Sequence, residues 1–217
     1  MAHSDKREKM VRGRFPQWAI TGNIGSGKST LAHLMTTQYG WSLVDADRET
    51  HALYRQNEGL RKRIGEEFGK SVLQGVSSEQ PHGCDIDRKV LGDLVFSDDS
   101  ALQRLNAIVY EPLFNRLLTA LERESNKQPT VLNAALVVEW GMTSLFDKVI
   151  LVTAPDETRL ERIIARSGGK LSRDRAWERL RAQMPQEEKR RIEGIVELTN
   201  NGTIDELAAK LETLFKA

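Results

Sequence analysis

Residues 22–29, Gly22-Asn23-Ile24-Gly25-Ser26-Gly27-Lys28-Ser29, fit G-x-x-x-x-G-K-[ST] at every position. No other stretch constrains the chain as tightly. The glycines let backbone N–H groups turn inward around phosphate oxygens. Lys28 reaches the β- and γ-phosphates of a nucleotide, and the Ser29 hydroxyl is a ligand for Mg²⁺. Such a loop needs a strand before it and a helix after it. The apolar run Trp18–Thr21 precedes it. Leu31, Leu34 and Met35 then recur on one helical face, and Gly40 is placed to end that helix.

Composition narrows the class. The chain has 217 residues, 39% hydrophobic and 29% charged, which suits one soluble α/β domain with insertions. No apolar run approaches the roughly 18 residues that span a bilayer, so no membrane role is expected. Residues 1–16 are polar and basic with no apolar core, and read as an N-terminal extension rather than a secretory signal. Cys84 is the single cysteine. That excludes an intrachain disulfide and a cysteine zinc site, and fits a cytoplasmic protein. A net charge of +1 argues against a dedicated nucleic-acid binder. The charge is uneven, however. Arg159, Arg162, Arg166, Arg173, Arg175, Arg179 and Arg181 share one segment with Glu157, Glu161 and Glu178. Such a run is either a solvated helix face or a store of cations for phosphate.

Five apolar runs read as buried parallel strands: Trp18–Thr21, Trp41–Asp45, Thr130–Leu136, Lys148–Thr153 and Gly194–Thr199. Helical patterns between them imply right-handed βαβ crossovers. The gap after the second run is too long for one crossover helix. It holds helical patterns around Leu60 and Ile64, around Val90, Leu91, Leu94 and Val95, and around Leu102, Leu105, Ile108 and Val109. Pro112 is expected to kink or end the last of these, with Leu113, Leu117, Leu118 and Leu121 continuing beyond it. Residues 75–83, rich in Ser, Gly and Pro, read as a loop. The expected organisation is one α/β domain over 17–217. It has a five-stranded parallel sheet flanked by helices, a helical lobe over about 48–126 and an Arg-rich lid over about 155–192. Ser172 is expected to cap the second lid helix, and Thr203 with Glu206 to form a capping box.

The second strand ends at Asp45-Ala46-Asp47. Ligands of open α/β sheets bind at the carboxyl ends of strands, so Asp45 points toward the loop's ligand. It would accept the proton of an attacking hydroxyl or hold Mg²⁺ through water. Asp47 would orient substrate or cap the next helix. Phosphoryl transfer has a loose transition state, so positioning and charge carry most of the rate. Two other users of this loop fit poorly. The only Asn-Lys pair runs Asn126-Lys127-Gln128-Pro129, not Asn-Lys-x-Asp, and Asp-x-x-Gly is absent, which argues against a GTPase. No hydrophobic run ends directly in Asp-Glu, as an ATPase motor would need. His3, His33, His51 and His82 are too scattered to suggest a metal cluster, and the four tryptophans read as packing residues.

At the level of motifs the chain resembles the dephospho-CoA kinase family from Ile20 to Leu207. Thr21-Gly22-Asn23-Ile24-Gly25-Ser26-Gly27-Lys28-Ser29-Thr30 is similar to its phosphate loop, with Asn23 where glycine is usual. Asp45-Ala46-Asp47 is similar to its DAD motif. Gly65-Glu66-Glu67-Phe68-Gly69, Asp87-Arg88 and Leu105-Asn106-Ala107-Ile108-Val109 resemble its helical lobe, although Tyr110-Glu111 stands before Pro112 where His is usual. Ala135-Leu136-Val137-Val138-Glu139, Glu161-Arg162-Ile163, Arg166, Gln183-Met184-Pro185 and Asn200-Asn201-Gly202 complete the match. The resemblance implies a P-loop kinase fold and ATP-dependent, Mg²⁺-assisted phosphorylation of the ribose 3′-hydroxyl of dephospho-CoA. It implies Asp45 and Lys28 as catalytic groups. Nucleotide would lie on residues 22–30 with Arg162, Arg166 and Asn200, and Asn200 would serve the adenine pocket. Substrate would meet Asp47, His51, Asp87, Arg88 and Glu139, and metal would meet Ser29 and Asp45. A monomer or weak homo-oligomer is expected. A kinase of another nucleotide or nucleoside, or a non-catalytic nucleotide-dependent regulator or RNA-associated factor, is the alternative.

Overall fold

The computed structural model describes residues 13–96 and 98–216, so residues 1–12 of the expected extension lie outside it. Contacts group the chain into two compact units, one running to Asp45 and resuming at Thr119, the other spanning Ala46–Leu118. The first unit opens with β1 (Gln17–Thr21), α1 (Lys28–Tyr39) and β2 (Ser42–Asp45). The second contains α2 (Ala46–Gln56), α3 (Glu58–Phe68), a 3₁₀ turn, β3 (Leu73–Gln74), β4 (Asp85–Ile86) and α4 (Arg88–Val95). Helix α5 (Asp99–Ser125) passes from the second unit's residues into the first's. Then follow β5 (Thr130–Asn133), β6 (Lys148–Thr153), α6 (Asp156–Arg166), α7 (Arg173–Arg181), α8 (Gln186–Arg190), β7 (Ile195–Thr199) and α9 (Ile204–Lys216).

In the first unit, five parallel strands lie in the order β2-β5-β1-β6-β7. All five residues of β1 are buried, as a strand covered on both faces requires. The chain steps from β1 to β2 on one side and later to β6 on the other. The carboxyl end of β1 is therefore the switch point of the sheet, and residues 22–27 sit there. Helix α1 begins after Gly27 and ends at Gly40, whose φ of 69° is left-handed and whose N–H donates to Met35 O. Leu31, Leu34 and Met35 face a core that includes Ile20, Val131, Ile150, Val152, Leu207 and Leu211. At the other end of the sheet, Trp18 packs with Trp41 and Phe215 at 4.8 and 4.9 Å between ring centres. The Thr203–Glu206 capping box forms: Thr203 N donates to Glu206 Oε2 at 3.1 Å, and Glu206 N to Thr203 Oγ1 at 3.2 Å.

Four expectations need correction. The third strand stops at Asn133, not Leu136, because Ala134 N makes the last bond to Ile20 O and residues 136–142 curl into turns that bury Val137 and Met142. A continuous apolar run cannot separate those two uses. The second strand starts at Ser42, since Trp41 N donates to Met35 O and finishes α1. Pro112, expected to kink or end its helix, does not end it. It lies inside the 27 residues of α5, where Val109, Leu113, Phe114 and Leu117 are buried around it, so packing outweighs one missing N–H. The lid segment holds three helices rather than two, with α8 added, while Ser172 caps α7 by accepting from Arg175 N.

The second unit has its own core of Leu60, Ile64, Phe68, Val72, Ile86, Leu91, Val95 and Val109. Strands β3 and β4 form a short antiparallel pair that closes the 75–83 loop, a hairpin the sequence did not signal. Arg61 is 8% exposed and bonds to four backbone carbonyls. Its Nε donates to His82 O and Gly83 O, and its Nη1 to Tyr54 O and Arg55 O at 2.9 and 2.7 Å. Burial pushes the Tyr54 phenol up to about 12.

Leu211 is fully buried against the sheet. Leu211→Ala should cost about 3 kcal/mol through lost burial and the cavity left behind. Thermal unfolding followed by circular dichroism should show a midpoint lower by about 6–12 °C.

Candidate active site

The loop after β1 has a backbone that only glycine allows at three points. Gly22, Gly25 and Gly27 have φ of 141°, 79° and 99°. A Cβ at Gly22 would lie 2.3 Å from Val152 O, and one at Gly25 would lie 2.7 Å from Arg159 O. Between them Asn23 and Ser26 are buried at 1% and 0% exposure. Lys28 Nζ donates to Asn23 O at 3.0 Å, which folds the ammonium back over the loop. Ser29 is exposed on the first turn of α1, and Thr30 follows it half-buried.

The loop is held by residues far along the chain. Asn200 Nδ2 donates to Ser26 O at 2.8 Å. Arg162 Nη1 donates to Gly25 O and Ser26 O at 3.3 and 3.4 Å, and its Nη2 to Asn200 O at 3.2 Å. Asn23 Nδ2 donates to Met184 O at 2.9 Å, and Ile24 N to Gln183 Oε1 at 2.7 Å. Two of the residues assigned to nucleotide from sequence, Arg162 and Asn200, are thus hydrogen-bonded to the loop itself. Arg166 is exposed at the end of α6. Arg173 pairs with Glu157, both well exposed, which is the solvated face the Arg-rich run suggested as one reading.

Asp45 ends β2 opposite Asn133, and Asn133 in turn lies opposite Ile20. Asp45 is therefore two strands from β1, about 10 Å at ordinary strand spacing. Asn133 Nδ2 donates to Asp45 Oδ2 at 2.8 Å. Asn133 Oδ1 is buried without a partner. Glu139, expected at substrate, instead accepts from Lys189 Nζ at 2.8 Å, and that ammonium is fully buried. Lys189 also donates to Ala135 O, which accepts from Thr21 Oγ1 as well. Gln186 bonds both the N–H and the C=O of Ala154 at 3.1 Å. The segment 183–189 therefore joins the loop, the exit of β5 and the exit of β6.

The oxygens of Ser29 and Asp45 are the hard donors that Mg²⁺ prefers, and Mg²⁺ commonly takes its remaining ligands from phosphates and water. The donor set thus fits a metal delivered with a nucleotide.

The remaining expected substrate residues belong to the second unit. Asp47 is exposed in the first turn of α2, one residue inside the helix rather than at its cap. Asp87 caps α4, accepting from Lys89 N and Val90 N at 3.1 Å, and the Val90 N–H chiefly holds its carboxyl below the ordinary range. Arg88 Nη1 lies 2.6 Å from His51 Nε2. The same Nη1 lies 3.0 Å from His51 Nδ1, and a guanidinium, which only donates, disfavours a protonated ring beside it. Burial, then the Arg88 charge, hold His51 below its ordinary pKa against the opposing pull of Asp47. Leu91 and Val95 are core residues of this unit, while Leu94, Leu105 and Ile108 remain half-buried.

Asn133, Gln186 and Lys189 carried no sequence signal as site residues. Asn133 hid inside an apolar run, and Gln186 and Lys189 in a stretch that reads as a solvated helix. Lys189→Met should strand the Glu139 carboxylate and cost about 3 kcal/mol. The double change Lys189→Met with Glu139→Leu should recover most of that loss in chemical denaturation.

Known proteins resemble this chain. A family model described as dephospho-CoA kinase matches residues 18–206. A dephospho-CoA kinase of Geobacter sulfurreducens is 37% identical over 198 residues, covering 90% of this chain and 95% of that relative. One of Aquifex aeolicus is 34% identical over 197 residues, covering 91% and 94%. A crystal structure of a Thermus thermophilus protein superposes with a TM-score of 0.69 at 35% identity, covering 93% of this chain and 96% of that one.

Proposed function

We infer the work of individual residues from one premise: the chain belongs to the dephospho-CoA kinase family. It transfers a phosphoryl group from ATP to dephospho-CoA, a step of coenzyme A biosynthesis. The observation that carries our reading of the site is Asp45, fixed by Asn133 two strands from the phosphate loop. About 10 Å between those strand ends leaves room for a γ-phosphoryl group and an acceptor hydroxyl.

In this reading residues 22–30 receive the triphosphate on backbone N–H groups and the start of α1. Lys28 neutralises charge between the β- and γ-phosphates. Bound Mg²⁺ would add charge neutralisation of the same oxygens, with Ser29 and, through water, Asp45 as its protein-side ligands. Asp45 holds the ribose 3′-hydroxyl in line and takes its proton as the bond to phosphorus forms. Arg166 is left to approach the nucleotide, while Arg162 and Asn200 act mainly by keeping the loop in shape. Asn200 also remains our candidate for the adenine pocket. His51 and Arg88, with Asp47, Asp87 and Glu139 as weaker candidates, would meet the acceptor. The half-buried faces of Leu94, Leu105 and Ile108 would receive its pantetheine arm. Cytoplasmic location and a monomer or weak homo-oligomer complete the proposal.

Asp45→Asn keeps shape and the Asn133 contact distance but removes the charge that orients the hydroxyl. Turnover should fall by about 10²–10³ with Mg-ATP affinity nearly unchanged. Collapse of ATP affinity with normal saturated turnover would move Asp45 into nucleotide binding.

The acceptor is tested by comparing dephospho-CoA, AMP and adenosine in an ADP-release assay, with mass spectrometry of the product. Remote binding energy in the pantetheine arm should help position the reacting hydroxyl, so truncated acceptors should lose kcat as well as affinity. Equal kcat/KM for AMP and dephospho-CoA would favour a general nucleotide kinase instead.

A further inference from the structure

Gln183 touches the phosphate loop at its tip. Its Oε1 accepts from Ile24 N at 2.7 Å. A backbone N–H can only donate, so the orientation of the side-chain amide is fixed, with oxygen on the loop and Nε2 turned away from that N–H. Nε2 carries two N–H groups and has no acceptor among the described residues. The side chain is half-buried, so those donors are not simply lost in the core.

The same peptide group is used from its other edge. Its carbonyl, Asn23 O, accepts from Lys28 Nζ at 3.0 Å. The O and N of one peptide lie about 2.3 Å apart. Lys28 Nζ and Gln183 Oε1 are therefore separated by at most about 8 Å, the sum of that span and the two hydrogen bonds. The Asn23–Ile24 peptide itself spans that distance, so a phosphoryl group that met both side chains would lie alongside it, about 2.8 Å from the ammonium and about 2.9 Å from the amide nitrogen Nε2.

Gln183 is also held in place rather than free to sweep. Its neighbour Met184 accepts from Asn23 Nδ2, Gln186 grips Ala154 from both sides, and Lys189 is buried on Ala135 O and Glu139. Donors fixed before the reaction are the ones that stabilise charge most effectively.

We propose that Gln183 is a further phosphate-contacting residue. With Oε1 braced on the Ile24 amide, its Nε2 donates to an oxygen of the γ-phosphate of ATP across from Lys28. This rests on the kinase reading of the site, which supplies the γ-phosphate. The contact exists with ATP and is absent with ADP, and that difference separates it from a purely structural brace.

The test measures kcat, KM for ATP, and binding of ADP and of β,γ-methylene-ATP, for wild type, Gln183→Ala and Gln183→Glu. Wild-type phosphorylation of dephospho-CoA is the control on the kinase reading, and its absence would overturn that reading itself. Gln183→Ala should lower kcat/KM by about 10- to 100-fold and weaken the ATP analogue, with ADP binding within about threefold of wild type. Gln183→Glu keeps an acceptor for Ile24 N but replaces the donor with a negative charge. It should lose at least as much with ATP, and far less with ADP. The proposal is overturned if ADP and the ATP analogue weaken equally while saturated kcat holds, since that is loss of a brace. It is equally overturned if Gln183→Glu behaves as wild type. Should Gln183→Ala unfold, the Glu variant alone decides, because it preserves the bond to the loop.

Discussion

Everything at the phosphate end of the sheet depends on satisfying the backbone of a loop that has no regular partner of its own. Buried N–H and C=O groups must be paired, and residues 22–27 belong to no helix or strand ladder. Side chains supply what is missing. Asn23 O is taken by Lys28, Ile24 N by Gln183, Gly25 O and Ser26 O by Arg162, and Ser26 O again by Asn200. Arg162 shows the consequence for electrostatics. A cation beside the loop does not need to touch the nucleotide to favour it, since its charge remains close to the bound phosphates in a partly buried setting.

Sequence made the fold legible where a pattern had one structural meaning. The G-x-x-x-x-G-K-[ST] stretch requires a strand before and a helix after, and β1 and α1 are there. Lys148–Thr153 is bounded by charge and proline and became β6 with no change of limits. Patterns with two meanings failed. The apolar residues after Asn133 serve turns rather than the sheet, and Pro112 sits inside a helix whose buried face holds it. Family resemblance supplied Arg162, Asn200 and Glu139 as site residues but not their contacts. Glu139 pairs with Lys189, and a charged residue in a charged stretch gives no sign that its ammonium is fully buried. Long-range hydrogen bonds leave no periodicity to read.

The helical unit follows the same logic with different parts. One buried guanidinium, Arg61, ties its 75–83 loop to the end of α2, donating to His82 O and Gly83 O and to Tyr54 O and Arg55 O. Its pair of Arg88 and His51 sets a guanidinium against a ring whose pKa is lowered by burial and then by that charge.

The distance along the chain between the phosphate loop and its supports has a consequence for how the protein is made. Asn23 waits for Met184, Ile24 for Gln183, and Ser26 for Asn200, across 161, 159 and 174 positions. At a synthesis rate of about 5–20 residues per second, roughly ten seconds or more separate the emergence of the loop from that of its supports. β1 also lacks both sheet neighbours until β5 and β6 have been made. The phosphate loop therefore acquires its shape only after these distant supports have emerged. Until β5 and β6 have been made, the strand that leads into it is an unpaired apolar segment that must be kept from other chains.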